Sequence, residues 1–269
     1  MELFFRKYGQ GPTLVIVHGL YGASDNWVKI GKMLSNHFEV YIIDQRNHGR
    51  SSHHVNHNYE EMRNDLYDFM VFHNIKKAIL LGHSMGGKTV MFFAQKYPER
   101  VNGLIVVDIA PKSYAVVNTS LKKTIDHSTI ISALQSVDFE LVKTRNDVDN
   151  FLAPKIPSRR IRQFLMKNLQ RNKDNSFKWS LNLDALQSNL DEILDGMNEK
   201  EFEKGNSITG FPVLFIRGAN SNYILDSDTA LINKIFPYAE IVSIKDSGHW
   251  LHVEQPDLLF RSIEDFFLN

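Results

Sequence analysis

Residues 82–86 read Gly-His-Ser-Met-Gly, a G-x-S-x-G pattern, and the residues around it constrain the fold of this chain more than any other feature. The run at 78–81 is short and apolar, as in a buried strand, whereas 87–97 has the spacing of a helix that ends before a proline. The pattern predicts a tight strand-to-helix turn with Ser84 at its apex, because the flanking glycines let neighbouring backbone approach closely. A serine in that position is a candidate nucleophile, and the amide of Met85 lies where an oxyanion would form.

The bulk composition allows a large core and excludes several classes of function. With 269 residues, of which 43% are hydrophobic, the chain is long enough for one large α/β domain or for a core with an inserted subdomain. Lysine plus arginine and aspartate plus glutamate each number 31, so no net charge attracts nucleic acid or an anionic membrane. The absence of cysteine excludes disulfides, thiolate metal sites and a cysteine nucleophile.

The sequence carries no sign of membrane targeting. Residues 1–7 lack an apolar stretch behind a basic start, which is the pattern of a secretion signal, and no apolar run is long enough to cross a bilayer. We therefore expect a cytoplasmic protein without membrane insertion, either a monomer or a homodimer.

Short apolar strands alternate with helical patterns over the first 111 residues. The runs 13–17, 38–43 and 101–107 are apolar and rich in β-branched residues, which is typical of parallel strands covered on both faces. The alternation predicts a doubly wound, mostly parallel sheet, with a weakly alternating edge strand at 3–8. Polar loops follow these strands, and ligands bind at that edge of such sheets.

A helical block interrupts this alternation. Residues 112–205 show helical patterns and no convincing strand, and the sheet resumes with an apolar run at 212–217. We therefore predict an α/β core formed by 1–111 and 206–269, with a helical cap over the strand ends formed by 112–205. The predicted cap helices span 121–136, 138–152, 159–171 and 184–198.

A serine hydroxyl needs a base to take its proton, and the base needs a partner that fixes its tautomer. Of the 11 histidines, His249 is the best candidate base, because it follows the last predicted strand in a glycine-bearing loop. Asp108 ends the strand after the nucleophile helix, where a carboxylate can reach the same histidine. Asp226 and Asp228 also satisfy the chain order serine, acid, histidine, so order alone does not identify the acid; both could instead cap a helix.

Backbone amides and apolar side chains complete the predicted site. The second oxyanion donor should come from the loop after the 13–17 strand, where the amide of Leu20 is the candidate beside that of Met85. Tyr21, Trp250 and Ile224 are candidates to line a pocket for an acyl group, although such side chains more often serve ordinary packing.

The predicted cap also carries many basic side chains. A basic helix face could bind an anionic substrate such as an acyl-CoA, or it could be a solvated face paired with acidic residues; we favour the second interpretation. The basic residues are Lys155, Arg159, Arg160, Arg162, Lys167, Arg171 and Lys173, and the acidic ones are Asp191, Glu192, Asp195, Glu199, Glu201 and Glu203.

Several motifs together resemble the α/β-hydrolase superfamily. The resemblance implies a mostly parallel central sheet with helices on both faces and an inserted helical cap. The motifs are His18-Gly19, the residues Asp44, Arg46, Gly49 and Ser51 of one loop, the 82–87 stretch, and Gly248-His249. More narrowly, the stretches 18–27, 44–49, 84–88 and 107–111 resemble the YbfF-like esterases, which are related to the animal ABHD-type hydrolases.

The resemblance also bears on the acid. Most of the superfamily has an aspartate where this chain has Ser221. An acid at Asp108 resembles the arrangement of the YbfF-like group. We favour this residue because it abuts the end of a core strand.

The implied reaction is hydrolysis by a serine nucleophile through an acyl-enzyme. Its substrate is a small-molecule carboxylic ester or thioester with a short- to medium-chain acyl group, acyl-CoA included. A carbon–carbon bond hydrolase or lyase on the same fold is the alternative, and a non-catalytic receptor for a small ligand is less favoured. His53, His54 and His57 lack carboxylates at metal-ligand spacing, and we expect neither a metal nor an organic cofactor.

Overall fold

A seven-stranded sheet forms the centre of the computed structural model, which describes residues 1–115, 126–203 and 205–268. Its inner strands are short and apolar, and all six residues of the strand that leads to Ser84 are buried. A separate two-stranded hairpin is formed by β6 and β7. The strands are β1 (Phe5–Tyr8), β2 (Thr13–Val17), β3 (Glu39–Ile43), β4 (Ala78–His83), β5 (Val101–Val107), β6 (Leu169–Arg171), β7 (Phe177–Trp179), β8 (Val213–Gly218) and β9 (Ala239–Ile244).

The sheet brings two of the predicted site residues to neighbouring strand ends. Its order is β1-β3-β2-β4-β5-β8-β9, and the edge strand β1 runs antiparallel to β3 whereas the other pairs are parallel. His83 is paired with Val107, and Val107 with Ile216. The turns that hold Ser84 and Asp108 therefore lie side by side at the carboxyl edge of the sheet.

Helices cover both faces of the sheet, because alternate residues of each strand point to opposite sides. In β2, Val15 and Val17 belong to one core cluster, and Leu14 and Ile16 belong to the other. The predicted α/β-hydrolase fold with a mostly parallel sheet is confirmed. Within the described ranges, no helix combines the length and the apolar character that crossing a bilayer requires. The helices are α1 (Val28–Leu34), α2 (Tyr59–Phe72), α3 (Met85–Lys96), α4 (His127–Gln135), α5 (Arg145–Leu152), α6 (Arg159–Leu165), α7 (Leu183–Ser188), α8 (Leu190–Leu194), α9 (Thr229–Ile235), α10 (Leu251–Glu254) and α11 (Pro256–Leu268).

The elements between β5 and β8 form a unit at the carboxyl edge of the sheet. Its apolar cluster includes Leu134, Leu152 and Leu186, and it continues onto Tyr21 and Met85 at the strand ends. The short helices of this unit thus bury their apolar faces against one another and against the site region. The unit occupies the position of a cap, while its boundaries at 111/112 and 205/206 stay a prediction.

This unit differs from the sequence prediction in two ways. The hairpin of β6 and β7 is missing from the prediction, because strands of three residues are too short to show an alternating pattern. The cap helices are also shorter than predicted. Helix α5 begins at Arg145 and α6 ends at Leu165, and the helix predicted over 184–198 is interrupted at Asn189, between α7 and α8. Residues 121–125 of the first predicted cap helix lie outside the described residues.

Candidate active site

Ser84 lies on the strained turn between β4 and α3. Its backbone has φ 53° and ψ −121°, a positive-φ conformation that is uncommon outside glycine. The turn needs its glycines: a Cβ on Gly82 would lie 2.2 Å from the Gly86 oxygen, and one on Gly86 would lie 2.3 Å from the Val17 oxygen. The local sequence therefore places the Ser84 hydroxyl at the sheet edge, beside the N-terminus of α3.

Asp108 and His249 meet at the same edge. Asp108 follows the last residue of β5 and is completely buried. Its Oδ2 accepts a hydrogen bond from His249 Nδ1 at 2.8 Å. The Gly218 amide donates to Asp108 Oδ1 at 3.0 Å, and the Ser221 hydroxyl donates to Oδ2. These donors stabilise the carboxylate, and a proton on His249 Nδ1 leaves Nε2 as the nitrogen that can accept another.

The two alternative acids have other partners. Asp226 pairs with Arg217 at 2.7 Å, and its side chain is 92% exposed. Asp228 is buried and pairs with Lys112 at 2.8 Å. Among the described hydrogen bonds and ion pairs, neither carboxylate contacts His249, so the geometry favours the acid at the end of β5.

Several neighbours hold the loop that carries His249. His83 Nε2 donates to the His249 carbonyl at 2.8 Å, and the rings of Tyr223 and His249 stack with their centroids 3.8 Å apart. Glu254 accepts the amides of the residues before and after the histidine, at 2.8 and 3.1 Å. Sequence reasoning missed Tyr223 and Glu254, because no local pattern indicates which distant loop a side chain will contact.

A small cavity joins Ser84 and His249. Both residues line it, and its volume of about 40 Å³ has room for about three water molecules. The described hydrogen bonds of the His249 ring include the one to Asp108 and none to the Ser84 hydroxyl. Side chains of the lining must therefore move before an acyl group of more than a few atoms can enter. The lining also includes Gly19, Leu20, Tyr21, His83, His127, Ile130, Ile161, Phe164, Leu165, Tyr223 and Trp250.

The structure places one predicted lining residue outside the cavity and adds another to its lining. Tyr21 and Trp250 line the cavity, but Ile224 is 2% exposed and packs in the core cluster that contains Phe215. Ile224 thus lies outside the lining of this cavity, because the segment after β8 turns its apolar side chain into the core, and substrate contact at Ile224 stays a prediction. His127 lines the cavity beside Tyr21, and sequence reasoning missed it because a lone histidine at the start of a helix carries no signal.

Leu20 and Met85 provide backbone amides near Ser84. Met85 is the first residue of α3, so its amide has no acceptor within the helix. The Leu20 amide donates no hydrogen bond among the described residues, although its loop is closed by a 2.9 Å bond from the Gly22 amide to the Gly19 oxygen. Neither amide has an acceptor among the described residues, and their role as oxyanion donors stays a prediction.

Two buried neutral histidines hold the Leu20 loop. His18 Nε2 accepts the Gln45 amide at 2.9 Å, and His48 Nε2 accepts the Tyr21 amide at 3.2 Å. The Nδ1 atom of each ring donates to a backbone carbonyl, at 2.8 and 2.9 Å. Burial lowers the pKa of His18 and lowers the pKa of His48 well below 6.5, so both rings keep an acceptor nitrogen at neutral pH.

Acidification is expected to destabilise the fold through its buried histidines. Burial and the Arg46 charge lower the pKa of His57 to about 3, and burial and the nearby His249 lower that of His83 to about 3. The unfolded chain binds these protons near pH 6.5, whereas the folded chain does not. The free energy of unfolding should therefore fall below that pH, by about 2 kcal/mol for each such histidine between pH 7 and pH 5. Urea unfolding at the two pH values measures this loss.

Two variants in one loop test whether buried His57 causes part of this loss of stability at low pH. His57→Gln should remove about 2 kcal/mol of the pH dependence, because it removes one buried ring that cannot charge. His53→Gln is the matched control, since His53 is exposed a few residues earlier. The same pH dependence in the wild type and in both variants would contradict this assignment to His57.

No metal centre is evident in the part of the chain that the structure describes. There, no group of three or more His, Cys, Asp or Glu side chains is placed to hold a metal ion. His57, one of three closely spaced histidines, is buried instead, with Nδ1 3.2 Å from Asn47 Nδ2 and Nε2 3.4 Å from Met85 Sδ.

A serine on a strand-to-helix turn, at the carboxyl edge of a mostly parallel sheet, defines the class of hydrolases built on that fold. The family described as alpha/beta hydrolase fold matches residues 12–256. The chain belongs to the alpha/beta hydrolase family, and within it to the relatives of YbfF and ABHD11 that the sequence motifs predict.

These similar proteins carry esterase and lipase names. Esterase YbfF of Escherichia coli (strain K12) is 30% identical over 253 residues, which cover 94% of this chain and 92% of the relative. The sn-1-specific diacylglycerol lipase ABHD11 of Mus musculus is 34% identical over 261 residues, which cover 95% of this chain and 80% of the relative. A solved structure of a marine microorganism esterase has a TM-score of 0.92 and 42% identity, and the match covers 99% of each chain.

Proposed function

We propose that this carboxylic ester hydrolase is a serine esterase or thioesterase that works through an acyl-enzyme. The observation that carries the proposal is the Asp108–His249 hydrogen bond at the edge of the cavity that also holds Ser84. The esterase relatives support ester hydrolysis, and the positive-φ turn at Ser84 supports a nucleophilic serine.

The proposed reaction has two halves. Ser84 Oγ attacks the carbonyl carbon while His249 Nε2 takes the hydroxyl proton, and Asp108 stabilises the resulting imidazolium. The amides of Leu20 and Met85 stabilise the oxyanion, and the histidine then gives its proton to the departing alcohol or thiol. A water molecule attacks the acyl-enzyme with the same histidine as base, and the carboxylic acid leaves as Ser84 is restored.

We propose a short- to medium-chain acyl group, and the small cavity favours the short end of that range. Tyr21 and Trp250 give the cavity apolar walls, and its small volume leaves no room for a long chain without movement of the cap. We include small-molecule thioesters such as acyl-CoA among the proposed substrates, because the same acyl-enzyme chemistry cleaves both kinds of bond. Neither half of the proposed reaction needs a metal or an organic cofactor.

An ester panel and an active-site label test the proposal. We expect turnover of p-nitrophenyl esters from acetate to octanoate with a preference for the shorter chains, and a burst of p-nitrophenol where deacylation is slow. A fluorophosphonate should add its mass to the peptide that contains Ser84, and heat-denatured protein is the control without a folded site.

Two results would favour other functions on the same fold. Labelling of Ser84 without turnover of any ester would favour a carbon–carbon bond hydrolase or lyase, in which the same serine serves different chemistry. Well-folded protein that neither turns over esters nor reacts with the label would favour a non-catalytic receptor.

A further inference from the structure

A second and larger cavity lies beside the candidate active site. We name it the basic cleft; its volume is about 460 Å³, which falls in the range of small-molecule sites. Its walls come from β1, from the loops after β2 and β3, and from the cap hairpin. The lining residues are Arg6, Ala23, Ser24, Asp25, Asn26, Asp44, Gly49, Arg50, Lys167, Asn168, Gln170, Arg171 and Ser180.

The carboxylates of the basic cleft are already engaged by donors of the protein. Asp25 pairs with Arg6. Asp44 is buried, and its two oxygens accept the amides of Ser24 at 2.5 Å and Arg50 at 2.9 Å. The amides stabilise the Asp44 carboxylate without removing its charge, so the lining sets four cations (Arg6, Arg50, Lys167 and Arg171) against two carboxylates, Asp25 and Asp44.

The other cations of the lining are Arg50, Lys167 and Arg171, and they have no carboxylate within ion-pair distance among the described residues. The Arg50 guanidinium lies over the Phe4 ring at 4.8 Å, and that of Arg171 lies over the Phe177 ring at 5.6 Å. Aromatic contacts of this kind orient a guanidinium group without removing its charge. The cleft therefore presents uncompensated positive charge from two sides.

The expected pairing of basic cap residues with the acidic residues between 191 and 203 is wrong. Arg160 pairs with Glu254, and Arg162 pairs with Asp149 at 2.8 Å. None of the ion pairs in the described ranges joins the two groups. The prediction failed because charge pattern along the chain does not fix pairing in space: Arg171 in β6 and Lys167 just before β6 lie at the cleft with the core loops instead.

A buried donor also lacks an acceptor at this cleft. Asn26 lines it, and the buried Asn26 Nδ2 has no hydrogen-bond partner among the described residues. The Asn26 Oδ1 atom is used locally, because it accepts the Ala23 amide at 2.8 Å. Because this nitrogen is buried, an acceptor oxygen in the cleft reaches it only after the Asn26 side chain rotates.

We propose that the basic cleft binds a free phosphorylated small molecule with at least two negative charges. Guanidinium groups match the oxygens of a phosphate with paired hydrogen bonds, and several cations around one cavity favour a ligand with several charges. A neutral or singly charged ligand leaves part of this positive charge unpaired in the cleft.

This site is separate from the cavity that holds Ser84 and goes beyond the proposed function. Asn168 is buried between the two, and its Nδ2 donates to the Tyr21 carbonyl at 2.7 Å. Tyr21 lines the active-site cavity, whereas Asn168 lines the basic cleft. The wall between them thus consists of the Leu20 loop and the segment after α6.

Titration calorimetry with inorganic pyrophosphate tests the proposal on the full chain. Arg50→Gln and Arg171→Gln should each raise the dissociation constant about 10-fold, because each removes one charge-assisted contact. Lys173→Gln is the matched control, since Lys173 is exposed in the same hairpin but does not line the cleft. It should change the dissociation constant less than about two-fold.

Two further arms separate the competing explanations. Ser84→Ala should bind pyrophosphate as the wild type does, so failure of the proposed ester hydrolysis and failure of this site are distinguishable. Sedimentation with phosphatidylcholine vesicles that contain phosphatidic acid tests a lipid headgroup as the source of phosphate. No binding of pyrophosphate at millimolar concentration, equal weakening by Lys173→Gln, or binding to the vesicles alone would overturn the proposal.

Discussion

Ser84→Ala is expected to lower kcat/KM for p-nitrophenyl acetate by about 10⁴- to 10⁶-fold. The variant removes the only oxygen that can form the proposed acyl-enzyme, while the Leu20 and Met85 amides and the binding cavity stay in place. The residual rate then reflects binding and oxyanion stabilisation alone. Steady-state kinetics with freshly purified protein, followed by a search for the burst phase, measures the loss.

The fold should survive this substitution. Alanine meets the same backbone constraint as serine at φ 53°, and no described hydrogen bond uses the Ser84 hydroxyl. Thermal melting should therefore differ little from the wild type. Ser262→Ala, on the exposed face of α11, is the control for loss of a serine hydroxyl elsewhere. A kcat/KM of Ser84→Ala within about ten-fold of that of Ser262→Ala would contradict the serine mechanism.

The nucleophile turn was predictable because its signal is local. One stretch of about 20 residues contains the apolar run before Ser84, the flanking glycines and the helical spacing after it. Each of these features favours the same strand-to-helix turn. The positions of Asp108 and His249 follow from the parallel sheet, since residues after neighbouring strands share one edge. The parallel sheet predicted from the sequence was therefore enough to place these loops at one edge, without a prediction of the strand order.

The supporting contacts were not predictable because they depend on tertiary approach. Ser221 occupies the usual acid position, and the sequence gives no reason to expect its hydroxyl to donate to Asp108. Tyr223 and Glu254 contact the His249 loop from segments whose local patterns indicate only a loop and a short helix. For Ile224 the sequence suggested a place in the pocket lining, whereas its side chain packs in the core.

Asp108→Asn is expected to lower kcat by about 10⁴-fold, the size of loss found when a serine protease loses its triad carboxylate. The amide cannot stabilise the imidazolium, and its NH₂ group favours the tautomer with the proton on His249 Nε2. That nitrogen then cannot take the Ser84 proton. Because substrate binding does not depend on the acid, KM should change much less than kcat. Steady-state kinetics across a pH series separates the two constants.

Matched variants decide which carboxylate is the acid. Asp226→Asn removes an exposed charge paired with Arg217, and Asp228→Asn removes a buried ion pair with Lys112. The first should leave both stability and kcat nearly unchanged, and the second should lower stability more than kcat, since neither carboxylate bonds to His249. If kcat instead survives in Asp108→Asn and collapses in one of these two variants, the 2.8 Å contact between Asp108 and His249 is structural and the acid lies after β8.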